Sequence, residues 1–424
     1  MTRAVRSLVS IATQPRAGNV DCGKGRSRAR MAWNIDALLF GLAACSVPMS
    51  IALTESLLAG SLLFRLTALA RGRAKVYLPR VFWFWLAWAA LEVGVWLGSP
   101  ELRAGEGEMR HLLLIVALFL LVPTLSHAGD LVMVWRGIVL AASISSIILI
   151  GHFASRLLFY RGTLDPVVYL RSGGLLHHWA IYSTVEILVL AALLELWRLF
   201  PEERPWSGPV LVINTVAIVL SLTRMLWICS LILLVVQLFW MRSRWLWATP
   251  LVPCLIFVIA PRAVRSRVTD SMHLDYYSNA ERIQMIRVGW KIIKQHPLTG
   301  VGPGRVEELY VKYLSPSDPI PAYHGHLHNT LIQLAAGFGL PATMAAVLFV
   351  AVLFRDLRNV YRRGGDREQQ FLCRTAVLGL TGFVVSGLFD YTYGHSLGII
   401  LLGFTVFPPL MRPLAESEAG ATRS

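Results

Sequence analysis

Apolar residues gather in long runs along most of the chain, and short polar stretches separate them. A helix needs roughly 20 apolar residues to cross a bilayer, and by that measure the pattern predicts about twelve spans. They lie near 34–48, 51–69, 80–98, 111–126, 131–152, 177–197, 208–222, 225–241, 245–260, 328–354, 371–389 and 396–411. The expected fold is therefore an all-α polytopic membrane protein. The basic connections "RGRAK" (71–75), "MRSR" (241–244) and "RDLRNVYRRGGDR" (355–367) fall on one side together with both termini, and the positive-inside rule makes that side cytoplasmic. One connection stands apart. Residues 261–327 form a long loop on the opposite, external face, and a loop of that length is usually functional. The expected organisation is a basic cytoplasmic tail (1–33), nine spans (34–260), the external catalytic loop (261–327), three further spans (328–411) and a cytoplasmic tail (412–424).

Composition agrees with the pattern. The 424 residues are 55% hydrophobic, with a mean hydropathy of +0.57. Forty Lys and Arg outnumber 25 Asp and Glu, for a net charge of +15. That excess suits membrane lipids with anionic headgroups, or an anionic substrate. It does not suggest nucleic acid, because the basic residues are not collected in one soluble module. The five cysteines show neither disulfide nor zinc spacing. The leader carries seven cations between Arg3 and Arg30 with little apolar run, which reads as a tail rather than a cleavable signal. No internal repeat or low-complexity tract appears.

The external loop carries the candidate chemistry. "SNAERIQMIRVGWKIIKQHP" (278–297) predicts an amphipathic helix, with Ser278 and Glu281 as a capping box and Pro297 as its stop. Ile283, Ile286, Trp290 and Ile293 would form its apolar stripe. Arg287, Lys291 and Lys294 fall on one flank, as cations that snorkel at an interface do. Arg282 stands alone on the other flank, in the first turn. Its charge there adds to the positive helix end and favours a bound anion. Arg224, in "SLTRMLW", lies between two apolar runs, where an arginine is costly and usually serves a function. Arg265 in "APRAVRSR" is a weaker anion-site candidate. "GVGPG" (300–304) lacks the strand and βαβ context of a dinucleotide loop and reads as a plain turn.

"YHGHLHNTLIQL" (323–334) puts three histidines at the mouth of a span. In an extended segment His324, His326 and His328 share a face, which allows a metal triad. No nearby residue clearly supplies the carboxylate or thiolate that many such sites add. A polar collar at a helix start is a second reading. A general base is the third, because imidazole titrates near neutrality.

Taken together, Arg282 with Trp290, the run His296–Gly304, and His326, His328, Asn329 and Gly339 resemble the O-antigen ligase and polymerase family of membrane glycosyltransferases. "SLTRMLW" resembles that family's arginine at the outer end of a mid-chain helix. The likeness covers mainly residues 210–345. It departs at Ala342, where the family often has a glycine. The resemblance implies a GT-C-like fold in the bacterial inner membrane with a periplasmic active site. It implies an undecaprenyl-diphosphate-linked O-antigen as donor and, for a ligase, a lipid A-core sugar hydroxyl as acceptor. It further implies metal-independent, inverting transfer without cofactors, with Arg224 and Arg282 on the diphosphate and His326 or His328 as base. A polymerase or a protein O-oligosaccharyltransferase shares these motifs. One dominant external loop on a short chain favours the ligase. A flippase for lipid-linked sugar belongs to another class, and neither repeat symmetry nor paired broken helices support it.

Overall fold

The computed structural model describes residues 34–125, 127–162, 165–273, 275–316, 318–321 and 325–411. The basic N-terminal tail, Cys22, His324 and the tail from 412 lie outside these. Regular structure among the described residues is helical throughout. The first part comprises α1 (Ile35–Ser46), α2 (Ile51–Ala70), α3 (Arg80–Leu97), α4 (Leu102–Leu121), α5 (Ala128–Phe159), α6 (Pro166–Leu170), α7 (Trp179–Leu199), α8 (Arg204–Leu220), α9 (Arg224–Trp240) and α10 (Leu251–Ile259). The segment read as the external loop folds into α11 (Arg262–Ser271), α12 (Tyr277–Gln295) and α13 (Arg305–Leu309). Then come α14 (Thr330–Arg362), α15 (Arg367–Gly387) and α16 (Ser396–Val406).

Seven of the described helices are long and apolar enough to cross a membrane: α2, α3, α4, α5, α7, α14 and α15. The chain is an all-α membrane protein. Helices α1, α9 and α16 are apolar but shorter. The run expected to cross at 245–260 is divided into a 3-10 turn at Arg244–Ala248 and the nine-residue α10. Pro250 stands at the break and cannot donate a helical hydrogen bond. At 1.5 Å per residue α10 extends only about 14 Å, under half the hydrocarbon thickness.

Helix α7 is buried along nearly its whole length and packs on α15 and α9. Near the end of α7, Arg374 donates to Glu195 at 2.8 Å and to Gln237 at 3.2 Å. A buried ion pair inside hydrocarbon demands such partners, and this one joins α7, α9 and α15. The site described below lies at the other end of the same three helices, where α7 and α9 start and α15 ends.

Helix α12 differs from its sequence pattern in two ways. It starts at Tyr277, with Tyr276 as N-cap and no side-chain cap. Ser278 is therefore inside the helix, and its hydroxyl accepts from Arg224 instead of forming the expected capping box. The apolar stripe also divides. Met285, Val288, Ile292 and Ile293 are buried against Val306, Tyr310, Tyr313 and Leu327, while Ile286 and Trp290 are exposed. The small Gly289 allows this approach, since a Cβ there would meet Ile332 at 2.3 Å. Helix α12 thus packs on the start of α14 and carries its outer residues away from it.

Candidate active site

The glycine motif turns out to be a packing device. Gly300, Gly302 and Gly304 all have positive φ. Backbone N–H groups of Val301 and Gly302 donate to Ala336 and Gly337 of α14 at 2.8 and 3.0 Å. Gly339, also at positive φ, breaks α14, and there a Cβ would meet the Leu298 carbonyl at 2.2 Å. The run from His296 to Gly304 is therefore laced to the first turns of α14. That lacing fixes where α14 begins, and the histidines lie immediately before it.

Four bonds then set the histidine segment. Leu327 N–H donates to Gln333 Oε1 at 3.0 Å. Asn329 caps α14 by accepting from Ile332 N–H at 3.0 Å, and its amide donates to the Leu388 carbonyl at 2.9 Å. Thr330 Oγ1 donates to the Asp390 carbonyl at 3.1 Å. The last two bonds draw the turn after α15 against the histidines. His328 itself has φ +46°, a left-handed conformation that costs a non-glycine residue about 1–2 kcal/mol. Such local strain persists where the surroundings over-determine it. Here it turns the imidazole so that Nδ1 lies 2.8 Å from Asp390 Oδ1.

Asp390 is 1% exposed. Burial alone would raise its carboxyl, but the His328 bond and the neighbouring imidazoles hold it well below the usual carboxylate range. An ionised Asp390 accepts, so His328 Nδ1 carries the proton and Nε2 carries the lone pair. His326 has the opposite arrangement. Its Nδ1 accepts from the His328 backbone N–H at 3.3 Å, which leaves the proton on Nε2. Burial, then the neighbouring His328, push His326 down to about 4, against the pull of Asp390. The two rings sit 4.3 Å apart, and only His328 is in the tautomer of a proton acceptor backed by a carboxylate.

Arginines lie near Asp390 as well. Arg224 opens α9, where Leu222 two residues earlier again has positive φ, +54°. Its guanidinium donates to Ser278 Oγ at 2.9 Å and to Asn279 Oδ1, which holds α12 to α9. Arg282 lies one turn further along α12. Burial lowers its guanidinium, Asp390 raises it and Arg267 lowers it, so it feels both the carboxylate and a neighbouring cation. Arg171, just before α7, is lowered by burial and then by Arg267, Arg282 and Arg224. Arg265 is exposed on α11 and is not brought to this cluster. Arg267, two residues on, is 2% exposed and points the other way. Arg287 and Lys294 are exposed, and Lys291 is tied to Tyr313 and Ser315 at 3.0 Å.

His326, His328 and Asp390 bring ligand-type atoms within 4.8 Å of one another, which is compact enough for a cation. Asp390 is the carboxylate that the sequence reading did not find. The same carboxylate interacts with Arg282, and the neighbouring guanidiniums of Arg267, Arg224 and Arg171 make the locality electropositive. That field opposes a metal cation and favours an anion.

Residues 209–347 match the family model described as O-antigen ligase. The chain carries an O-antigen ligase family domain. No curated protein matches it. The O-antigen ligase domain spans α8 to the middle of α14, and so holds Arg224, Arg267, Arg282, His326 and His328. Arg171 and Asp390 come from outside the matched segment, one after α6 and the other after α15. The sequence reading missed both. Their signals were weak: one arginine in "YLRSGG" just before a span, and one acid in "GLFDYTYGHS" between two apolar runs.

Proposed function

We propose that this protein is an O-antigen ligase that transfers a glycan from undecaprenyl diphosphate to a sugar hydroxyl of lipid A-core. The observation that carries this reading is the His328–Asp390 pair at 2.8 Å, with Arg282 close enough to interact with both Asp390 and Arg267. A glycosyl diphosphate reacts at one carbon with two needs. The leaving diphosphate oxygen gains charge, and the incoming hydroxyl must lose a proton. Guanidiniums on one side meet the first need with charge-assisted, bidentate bonds. His328 meets the second, with Asp390 holding its tautomer and the imidazolium that forms.

The step balances as follows. The bond between the anomeric carbon and the diphosphate oxygen breaks, and its electron pair leaves with the diphosphate. The acceptor oxygen bonds the same carbon from the opposite face, inverting it. The acceptor proton goes to His328 Nε2. Arg224 and Arg282 take the charge that a divalent ion takes elsewhere, so the reaction is metal-independent and needs no cofactor. Arg265, exposed on α11, adds positive charge at the surface rather than a bond to the diphosphate.

Both substrates are lipid-borne, and the histidines lie where α14 begins, at the edge of the apolar bundle. This suits a chain of the bacterial inner membrane with its site on the periplasmic face and residues 261–327 as the catalytic loop. A GT-C-like arrangement with about twelve crossings belongs to the same proposal, with the shorter helices completing the bundle around the seven long ones. The test is product analysis after reconstitution with lipid-linked glycan of defined anomeric configuration. Glycan on lipid A-core with inverted configuration supports the ligase. Extension of one lipid-linked glycan by another, with core untouched, identifies a polymerase.

A further inference from the structure

Arg267 is a buried cation without a counterion among the described residues. Its side chain is 2% exposed, and its Nε and Nη1 are sealed from solvent without a hydrogen-bond acceptor. It joins no ion pair among the described residues, and its guanidinium lies 5.5 Å from the Tyr276 ring. Arg171 repeats the pattern. It lies over the Trp179 ring at 3.9 Å and donates from Nη2 to the Leu222 carbonyl at 3.3 Å, yet its Nε is buried and unpaired. The nearby acid Asp165 is already engaged, accepting from Tyr276 and from the N–H groups of α6. Burying charged donors unpaired is costly. Placing them beside two further arginines adds repulsion. A protein folded only for stability has no use for this arrangement.

We infer that Arg171 and Arg267 are diphosphate-binding residues, completing with Arg224 and Arg282 a four-guanidinium cradle that is strained when empty and relieved by the anion. The inference rests on the ligase reading for the identity of the anion, and it adds two residues to that site. Each phosphate of a donor diphosphate carries a charge, and cleavage adds a further one. Arg224 is held by Ser278 and Asn279, and Arg282 faces Asp390. The unpaired N–H donors belong to Arg267 and Arg171. Both guanidiniums lie over aromatic rings and keep buried donors without an acceptor, which a ligand with many acceptor oxygens would satisfy.

The consequence has a sign that a structural arginine does not share. Removing Arg267 relieves the empty protein and disables the loaded one. The experiment is thermal unfolding of the full-length detergent-solubilised protein, titrated with inorganic pyrophosphate or inorganic phosphate. Wild type, Arg267→Gln, Arg267→Lys, Arg171→Gln and the exposed control Arg287→Gln are compared. Pyrophosphate should stabilise wild type and Arg287→Gln alike. Arg267→Gln should melt at or above the wild-type temperature without ligand, and bind pyrophosphate roughly ten- to hundredfold more weakly, as expected for a lost charged hydrogen bond. Arg171→Gln should lose affinity to a similar degree. Arg267→Lys should keep the empty-state midpoint of wild type and still bind weakly, because lysine lacks the fork. An Arg267→Gln protein that melts lower without ligand, or that binds pyrophosphate as wild type does, overturns the inference while leaving the ligase reading standing. Wild type that ignores pyrophosphate overturns both. Inorganic phosphate acting as strongly as pyrophosphate assigns the cradle to a single phosphate, such as a lipid headgroup, and overturns the diphosphate assignment.

Discussion

His328 Nδ1 lies 2.8 Å from Asp390 Oδ1, across 62 residues of chain and two long helices. The pair exists because Asn329 and Thr330 bond the turn that carries Asp390. Asp390→Asn keeps the shape and removes the charge. The amide leaves the imidazole without the carboxylate that fixes its tautomer. Transfer should fall by about 10²–10⁴-fold, with donor affinity kept, as measured by initial rates alongside donor binding.

The histidines should be unequal. His328→Ala should cost the base and about the same 10²–10⁴-fold in rate. His326→Ala should cost less, because its proton sits on Nε2 and its Nδ1 accepts from the His328 backbone. His324, before Gly325, is expected to be dispensable. Single-turnover rates for the three alanine variants decide the order. A His326 variant as slow as the His328 variant would show that the tautomer assignment is reversed.

How much of this was legible beforehand follows a physical divide. Long apolar runs announce spans, so the helical membrane fold could be read from the pattern, and so could the unusual places of Arg224, Arg282 and the histidines. Asp390 and Arg171 could not be read, because each is a single residue brought to the site by long-range packing. Arg265 attracted notice from sequence, yet Arg267 is the buried one, since two residues of helix turn a side chain by about 200°. Ser278 matched a capping signature and instead receives Arg224, a tertiary contact that overrides the local rule. The exposed Ile286 and Trp290 mislead in the same way, as the helix is packed through Met285, Val288 and Ile292.

The arginines should separate by position. Arg282→Ala and Arg224→Ala should each lower transfer roughly a hundred- to thousandfold, and lysine should rescue poorly at both. Arg287→Ala and Arg265→Ala should be mild, since both side chains are exposed and outside the cluster. The check is kcat and donor KM for all four. Equal losses at 282 and 287 would mean that the two flanks of α12 are misassigned.

Acid should destabilise the protein through its buried imidazoles. Burial pushes His326 down to about 4, and it lowers His395 as well. Their folded values lie below the unfolded one near 6.5. The neutral rings therefore lend their stability above that pH, and it is lost as pH falls from about 6.5 toward 4. Melting temperature against pH should decline across that window. His326→Leu should make the decline shallower, and a slope unchanged by that substitution would contradict the assignment. Because His326 is neutral above about pH 5, any fall in transfer rate between pH 7 and 5 should survive His326→Ala.

If guanidiniums take the leaving charge and His328 takes the proton, the step needs no metal. The most direct measurement is the transfer rate of the reconstituted wild-type protein, from undecaprenyl-diphosphate-linked glycan to lipid A-core, with and without EDTA. The rate should be the same in both. Loss of transfer in EDTA, restored by zinc or manganese, would contradict it and turn His326, His328 and Asp390 into ligands.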